Sequence, residues 1–416
     1  MLSAMNGHAS YLRYLRCSEC GERYPSDFAG SKRCDDGGVL LARYDLDAAS
    51  REISRDKIAE GPGTLWRYAP LLPVADPSLA LSLGEGWTPL LRTAQLGKKV
   101  GCPQLYIKDE GRNPSGSFKD RGASVAVSRY RELGIQTVVL NSSGNAGAAW
   151  SLYAAKAGIE CISIVPPDIP AASLKQCVLA GAQTYVFRDW HRAGKLVADL
   201  AAQNDWFNAG TLKEPYRVEG KKTIGYELAE QFGWTLPDVI FYPLGGGTGA
   251  IAIWKAFQEL RDLGWIHGRL PRLFVTQYQG CAPVVKAFED GTDVCVPWGS
   301  IDILPGGLKS PNPPGGKQVL ALIRETGGGA ISVTTREALD AVADAASTEG
   351  IFAGPEGGTT LAGLRIALAQ GAVSPDERVV LINTGSGLKS VPSLEAASPR
   401  EIKFAEDLTT AEIASR

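Results

Sequence analysis

The chain has 416 residues, enough for two or three domains, each with its own core. Hydrophobic residues make up 44% and charged residues 21%, the balance of an ordinary globular protein. A formal net charge of −2 argues against a broad nucleic-acid surface or an anionic-membrane face, and no apolar run approaches the ~20 residues of a membrane span.

The N-terminus, MLSAMNGHASYLRYLRCSEC, lacks a continuous apolar core and a small-residue cleavage site, which predicts a cytoplasmic protein. Of eight cysteines, Cys102, Cys161, Cys177, Cys281 and Cys295 are scattered in apolar stretches and read as small buried residues. Cys17, Cys20 and Cys34 lie close together. A zinc ribbon draws four soft ligands from two Cys-x-x-Cys knuckles. The second knuckle here is Cys34-Asp35-Asp36-Gly37 and ends in a glycine. Asp35, Asp36 or His8 could complete a site, but the expectation is no metal and a knuckle held by packing alone. A polar helix is predicted around residues 45–61, so residues 1–60 form an N-terminal extension.

From residue 61 short β-rich runs alternate with helical runs, the pattern of a parallel sheet covered by helices. Strands are predicted at 105–110, 137–140, 160–167, 183–187, 239–244, 273–278 and 378–383. Helices are predicted at 119–134, 145–158, 193–204, 223–233 and 249–264. Residues 302–316, rich in Pro and Gly, form a loop. Ligands of open parallel sheets bind beyond the carboxyl ends of the strands, so the strand-to-helix turns carry the functional reading.

Four such turns stand out. In GRNPSGSFKDRG (111–122), Lys119 opens a helix after a polar turn, between Phe118 and the Asp120–Arg121 pair. A lysine becomes a nucleophile when burial or a neighbouring cation lowers its pKa, and Arg121 is such a cation. The alternative is a solvated helix start with Lys119 paired to Asp120. In NSSGNAGAA (141–149), hydroxyls and backbone N–H groups at a helix start suit a carboxylate or phosphate. In PLGGGTGAIAIWKAF (243–257), a glycine loop between strand and helix suits a phosphate. Its match to the dinucleotide pattern lacks the acidic residue on the next strand, which ends in Gln277, Tyr278 and Gln279. In INTGSGLKS (382–390), Thr384 and Ser386 could meet a ring nitrogen. Together these turns ask for one ligand with a carbonyl, a phosphate and a heteroaromatic nitrogen, beside a bound carboxylate. Pyridoxal 5′-phosphate carrying an amino acid meets that description. His8, His191 and His267 are the only histidines and lie outside all four turns, which leaves the lysine as proton carrier.

The chain resembles the threonine synthase family, within the tryptophan-synthase-β-like pyridoxal-phosphate enzymes of fold type II. The resemblance runs from about Gly84 to Lys389, through GEGWTPL (84–90), NPSGSFKDRG, SSGNAG, GGGTG, EGIFAGPEGGTTLAGL (349–364) and NTGSGLK. It implies two open, mostly parallel α/β domains: a large one from 61–130 and 216–416, and a small one from 131–215. It implies a homodimer with a small amino-acid substrate. Lys119 would form the Schiff base with the cofactor and move protons between substrate carbons. Asn145 would bond the cofactor's phenolic oxygen. Gly245, Gly246, Gly247, Thr248 and Gly249 would hold its phosphate, and Thr384 would face its ring nitrogen. Ser142, Ser143 and Gly147 would surround the substrate carboxylate, and Lys213 and Arg217 would meet a substrate phosphate. The implied reaction converts O-phospho-L-homoserine and water to L-threonine and phosphate. Sister reactions share most of these motifs, namely ammonia loss from a β-substituted amino acid and β-replacement. One departure stands out: Glu214 replaces the family's usual Asn in TLKEPYRVEGKKT (211–223). A carboxylate beside a phosphate is repulsive unless Lys213, Lys221 or Lys222 neutralises it.

Overall fold

Residues 239–243 and 379–383 read VIFYP and VVLIN, continuous apolar runs with no polar alternation. Such strands must be covered on both faces. In the computed structural model, which describes residues 10–28, 34 and 38–394, both strands are wholly buried at the middle of the largest sheet. His8, Asp35, Asp36 and Gly37 lie outside the described residues.

In chain order the strands are β1 (Leu12–Cys17), β2 (Arg23–Pro25), β3 (Leu40–Tyr44), β4 (Leu90–Arg92), β5 (Leu105–Asp109), β6 (Thr137–Asn141), β7 (Glu160–Val165), β8 (Gln183–Val186), β9 (Phe207–Asn208), β10 (Val239–Pro243), β11 (Arg272–Tyr278), β12 (Gly329–Val333) and β13 (Val379–Asn383). The six-stranded sheet runs β12-β11-β10-β13-β5-β4 and is parallel apart from β4. A four-stranded parallel sheet runs β8-β7-β6-β9. The expectation of open, mostly parallel α/β layers therefore holds. The N-terminal extension adds an antiparallel sheet, β2-β1-β3, which the sequence reading had as knuckle and turn. Its Leu15 and Ala42 share a buried cluster with Val138, Trp150 and Tyr216, so the extension packs into the body of the protein.

All seven predicted strands are present within a residue or two. The predicted helix at 223–233 instead spans Tyr216–Gln231. Its first four turns are buried on every side, with Arg217, Glu219, Lys221, Lys222 and Glu227 among the buried residues. A helix with no apolar stripe gives periodicity nothing to register. The polar helix near 45–61 is two short pieces, Leu46–Glu52 and Arg55–Ala59. Helices Gly316–Thr326, Thr335–Glu349 and Pro355–Ala369 were not anticipated. The second carries a capping box between Thr334 and Glu337, a start signal legible in the sequence.

The helix Lys119–Glu132 crosses the Tyr216 helix at Gly220. A Cβ there would sit 1.9 Å from the carbonyl oxygen of Arg121, so only glycine permits this approach. The crossing sets the start of one helix, bearing Lys119, against the start of the other, bearing Arg217.

Candidate active site

A cavity of about 830 Å³ opens beyond the carboxyl ends of β6 and β10, and the four predicted turns converge on it. Lys119, Asn145, Thr384 and the run Gly245–Gly249 all line it, as do Ser142, Ser143, Lys213 and Arg217. Gly147 stands one turn behind the lining, where its N–H donates to Ser142 Oγ at 2.8 Å.

Lys119 is held by the chain on either side of it. Phe118 N donates to the Thr384 carbonyl at 3.1 Å, and Ser117 bridges Gly385, which places the lysine beside the turn that follows β13. The amine lies 4.2 Å from the centroid of the Phe118 ring. It has no hydrogen-bond partner among the described residues, unlike Lys108 and Lys389. Burial, helped by the charge of Arg217 and opposed by Glu356, pushes its pKa down to about 8. A Lys119–Asp120 pair is not formed. Asp120 turns back to accept from Ser115 N at 2.6 Å, and burial raises its carboxyl to about 7.

Arg121 is not the cation that acts on Lys119. Its guanidinium is fully buried on the far side of the helix, bonded to Glu110 at 2.6 Å and Glu227 at 2.5 Å. Lys108 joins the same network through Glu227 at 2.7 Å. This cluster anchors the helix that carries Lys119. Sequence reasoning missed it because Glu227 lies 106 positions along the chain from Arg121.

The glycine turn after β10 fits the phosphate of pyridoxal phosphate. It carries no charged side chain, and a Cβ at Gly245 would meet the Gly307 oxygen at 2.4 Å. At Gly249 a Cβ would strike the Tyr242 hydroxyl at 1.9 Å. The helix Thr248–Asp262 begins here, and its first-turn N–H groups lack intrahelical acceptors and face the cavity. An unpartnered amine opposite such a cradle is the arrangement the cofactor needs: Lys119 for its aldehyde and the glycine turn for its phosphate.

In the turn after β6, Gly144 adopts φ 155°, a conformation closed to residues with a Cβ. Ser142 Oγ accepts from Gly144 and Gly147 and so shapes the turn. Asn145 presents its amide to the cavity, with Oδ1 3.3 Å from Ser173 Oγ. Ser143 Oγ donates to the Gly306 carbonyl at 3.1 Å, and Lys309 pairs with Asp168 at 2.5 Å. The 302–316 loop is thereby drawn across one side of the cavity. Glu356, not anticipated from sequence, also lines the cavity and accepts from Gly307 N at 2.9 Å.

Glu214 does not face the cavity. It is buried, and its carboxylate accepts from Tyr216 N (2.7 Å), Arg217 N (3.1 Å) and Arg217 Nε (2.6 Å). It caps the Tyr216 helix and orients Arg217, so the expected repulsion with a phosphate is replaced by a positioning role. Arg217 also donates to Thr211 Oγ1 at 3.2 Å and to the Ala209 carbonyl, and lies 4.3 Å over the Trp150 ring. Three of its five N–H donors are thus engaged and two remain. Lys221, considered only as a neutraliser of Glu214, instead lines the cavity near Phe118, with Nζ 4.9 Å from the ring. Its pKa is pushed well down by burial and by Lys119 and Arg217. Lys222 points elsewhere, to Glu219 at 2.7 Å and Glu259 at 3.0 Å.

Residues 81–385 match the family described as pyridoxal-phosphate dependent enzyme. A threonine synthase of Methanocaldococcus jannaschii is 35% identical over 395 residues, covering 94% of this chain and 97% of that relative. The threonine synthase of Methanosarcina acetivorans is 38% identical over 380 residues, covering 90% and 92%. Among solved structures, maize serine racemase superposes with a TM-score of 0.61 at 21% identity, covering 72% of this chain and 88% of that one. A threonine deaminase of Solanum lycopersicum gives 0.59 at 19%, covering 74% and 86%. The two structures share the fold with this chain, and the two synthases share its sequence almost end to end. The chain therefore belongs to the pyridoxal-phosphate dependent enzymes, on the branch that holds the threonine synthases.

Proposed function

We propose that the protein converts O-phospho-L-homoserine and water to L-threonine and phosphate, with pyridoxal phosphate as cofactor. One observation carries the choice of a phosphorylated substrate: Lys213, Arg217 and Lys221 stand on the cavity wall with Lys119. Three basic side chains beyond the cofactor lysine suit a second anionic group, and the two unengaged N–H groups of Arg217 suit phosphate oxygens. The wall also bears Ser142 and Ser143, which we read as meeting the substrate carboxylate, and Asn145, which we read as meeting the cofactor's phenolic oxygen.

The cofactor, when bound, supplies an electron sink for charge that develops at the substrate's carbons. The chain's own residues do the rest. Lys119 takes the proton at Cα and then one at Cβ, which its lowered pKa suits near neutral pH. Arg217 and Lys213 hold the departing phosphate at Cγ as the C–O bond breaks, with Lys221 on the wall beside them. Lys119 then returns a proton to Cγ, water adds at Cβ, and Lys119 returns the proton at Cα. The 302–316 loop excludes bulk water from one side of this sequence.

We read residues 61–130 and 216–416 as a large domain and 131–215 as a small one, a division supported by the confinement of β6–β9 to 137–208. We infer a homodimer from the family resemblance, and light scattering of the purified protein tests it. Phosphate release and threonine formation from O-phospho-L-homoserine test the activity directly. Absence of phosphate release by cofactor-saturated enzyme refutes it.

A further inference from the structure

Three thiols of the N-terminal extension meet at one point. Cys17 closes β1, Cys20 lies in the turn to β2, and Cys34 comes from the connection to β3. Their Sγ atoms all lie within 4.8 Å of one another, and those of Cys20 and Cys34 are 3.5 Å apart. Zinc–sulfur bonds of about 2.3 Å in a tetrahedron place sulfurs about 3.8 Å apart, so the spacing suits one shared ion. None of the three is in a disulfide.

Hydrogen-bond donors face the sulfurs. Glu19 N–H donates to Cys17 Sγ at 3.3 Å, and the Tyr24 hydroxyl donates to Cys34 Sγ at 3.3 Å. Cys17 N–H donates to the Glu22 carbonyl at 2.9 Å, closing the knuckle, and Cys17 and Cys34 are buried. Packing alone gives no reason to gather three polarisable sulfurs with N–H and O–H groups aimed at them.

We propose that Cys17, Cys20 and Cys34 bind a zinc ion as thiolates, releasing their protons to solvent, with an oxygen donor in the fourth position. Glu22 is placed for that position, its Oε2 3.5 Å from Cys34 Sγ. Gly37 then ceases to be an objection, because the fourth ligand need not come from a second Cys-x-x-Cys pair. This replaces the expectation of a metal-free knuckle. The site also touches the cavity. Glu19, between Cys17 and Cys20, pairs with Lys317, and Gln318 Nε2 donates to Glu19 Oε1 at 3.0 Å. Glu19, Lys317 and Gln318 all line the cavity, so the ion fixes the knuckle that forms part of its rim.

The test is metal content, which is read without any activity assay. Untagged protein expressed with added zinc is dialysed and measured by plasma mass spectrometry. One zinc per chain is expected, released in step with titration of thiols by a mercurial. Cys20→Ser, a surface change, should lose the metal while the cofactor stays bound, and Cys102→Ser, remote from the knuckle, should keep it. Cobalt in place of zinc should give a thiolate–cobalt spectrum at wavelengths above the cofactor band. A wild-type protein without stoichiometric zinc, or a Cys20→Ser protein that retains it, overturns the proposal.

Discussion

Replacing Glu214 by alanine should cost stability, although the residue touches neither cofactor nor substrate. The carboxylate is buried and accepts three N–H donors, two from the backbone of the Tyr216 helix start and one from Arg217. Loss of a helix cap costs about 0.5–2 kcal/mol. Removing one partner of a buried ion pair costs about 3–5 kcal/mol, because the other charge is left stranded. The two losses overlap, and Arg217 keeps Thr211, the Ala209 carbonyl and the Trp150 ring. The lower end, about 3 kcal/mol, is therefore expected. With an m-value of about 3 kcal/mol/M, the urea midpoint should fall by about 1 M. Glu214→Gln keeps one oxygen for the two backbone donors, which share Oε2, but sets an NH2 opposite the Arg217 Nε–H, so the third bond is lost and about 1.5–3 kcal/mol is expected. Tryptophan fluorescence in urea measures both, and phosphate release from O-phospho-L-homoserine gives kcat/KM on the same samples, which should fall as Arg217 loosens. An alanine variant within 1 kcal/mol of wild type, with kcat/KM unchanged or improved, would refute the positioning role and restore the view that Glu214 repels phosphate.

Borohydride should fix the cofactor to the peptide containing Lys119, and Lys119→Ala should bind it without a covalent bond; label on Lys108, Lys221 or Lys389 contradicts the assignment. Capture of pyridoxal phosphate by apoenzyme should speed up as pH rises, with a midpoint near 8, because only the neutral amine reacts. At pH 7 the neutral fraction then exceeds that of an ordinary lysine by roughly 300-fold. Stopped-flow absorbance checks this, and a midpoint above 10 would show the amine to be solvated. Arg217→Met removes a cation that holds the Lys119 pKa down, so the same midpoint should move upward. Gly249→Ala should abolish cofactor retention through its clash with Tyr242, read as the absorbance ratio after gel filtration.

The strand-to-helix turns were legible because their demands are local. Gly144 needs its φ, the Gly245–Gly249 run needs room, and a lysine after a polar turn is conspicuous in a string of letters. What lay hidden depends on partners far along the chain. Arg121 reads as a neighbour of Lys119, yet its charge belongs to Glu110 and Glu227, and Arg217, almost a hundred positions on, is the cation that acts on the amine. Glu214 reads as a phosphate-site residue because its motif neighbours are, but its bonds to the start of the Tyr216 helix hold it inward. The Tyr216 helix escaped because its buried charges erase the apolar stripe. Glu356 gave no signal beyond an acid in a glycine-rich run.

The position of β13 bears on how the chain is made. It is the last strand in sequence among the described residues and sits between β10 and β5 in the middle of the large sheet. Asn383 at its end bonds Asp109, 274 positions earlier. At synthesis rates of about 5–20 residues per second, β5 emerges roughly 15–55 s before its partner exists. During that interval β5 presents an unpaired edge. The β6–β9 layer can close at once, since all its strands lie within 137–208. Thr384, whose carbonyl holds the start of the Lys119 helix, arrives with β13. The reactive lysine is therefore locked in place only once synthesis has passed residue 384, and a chain cut before β13 carries the lysine without the frame that makes it reactive.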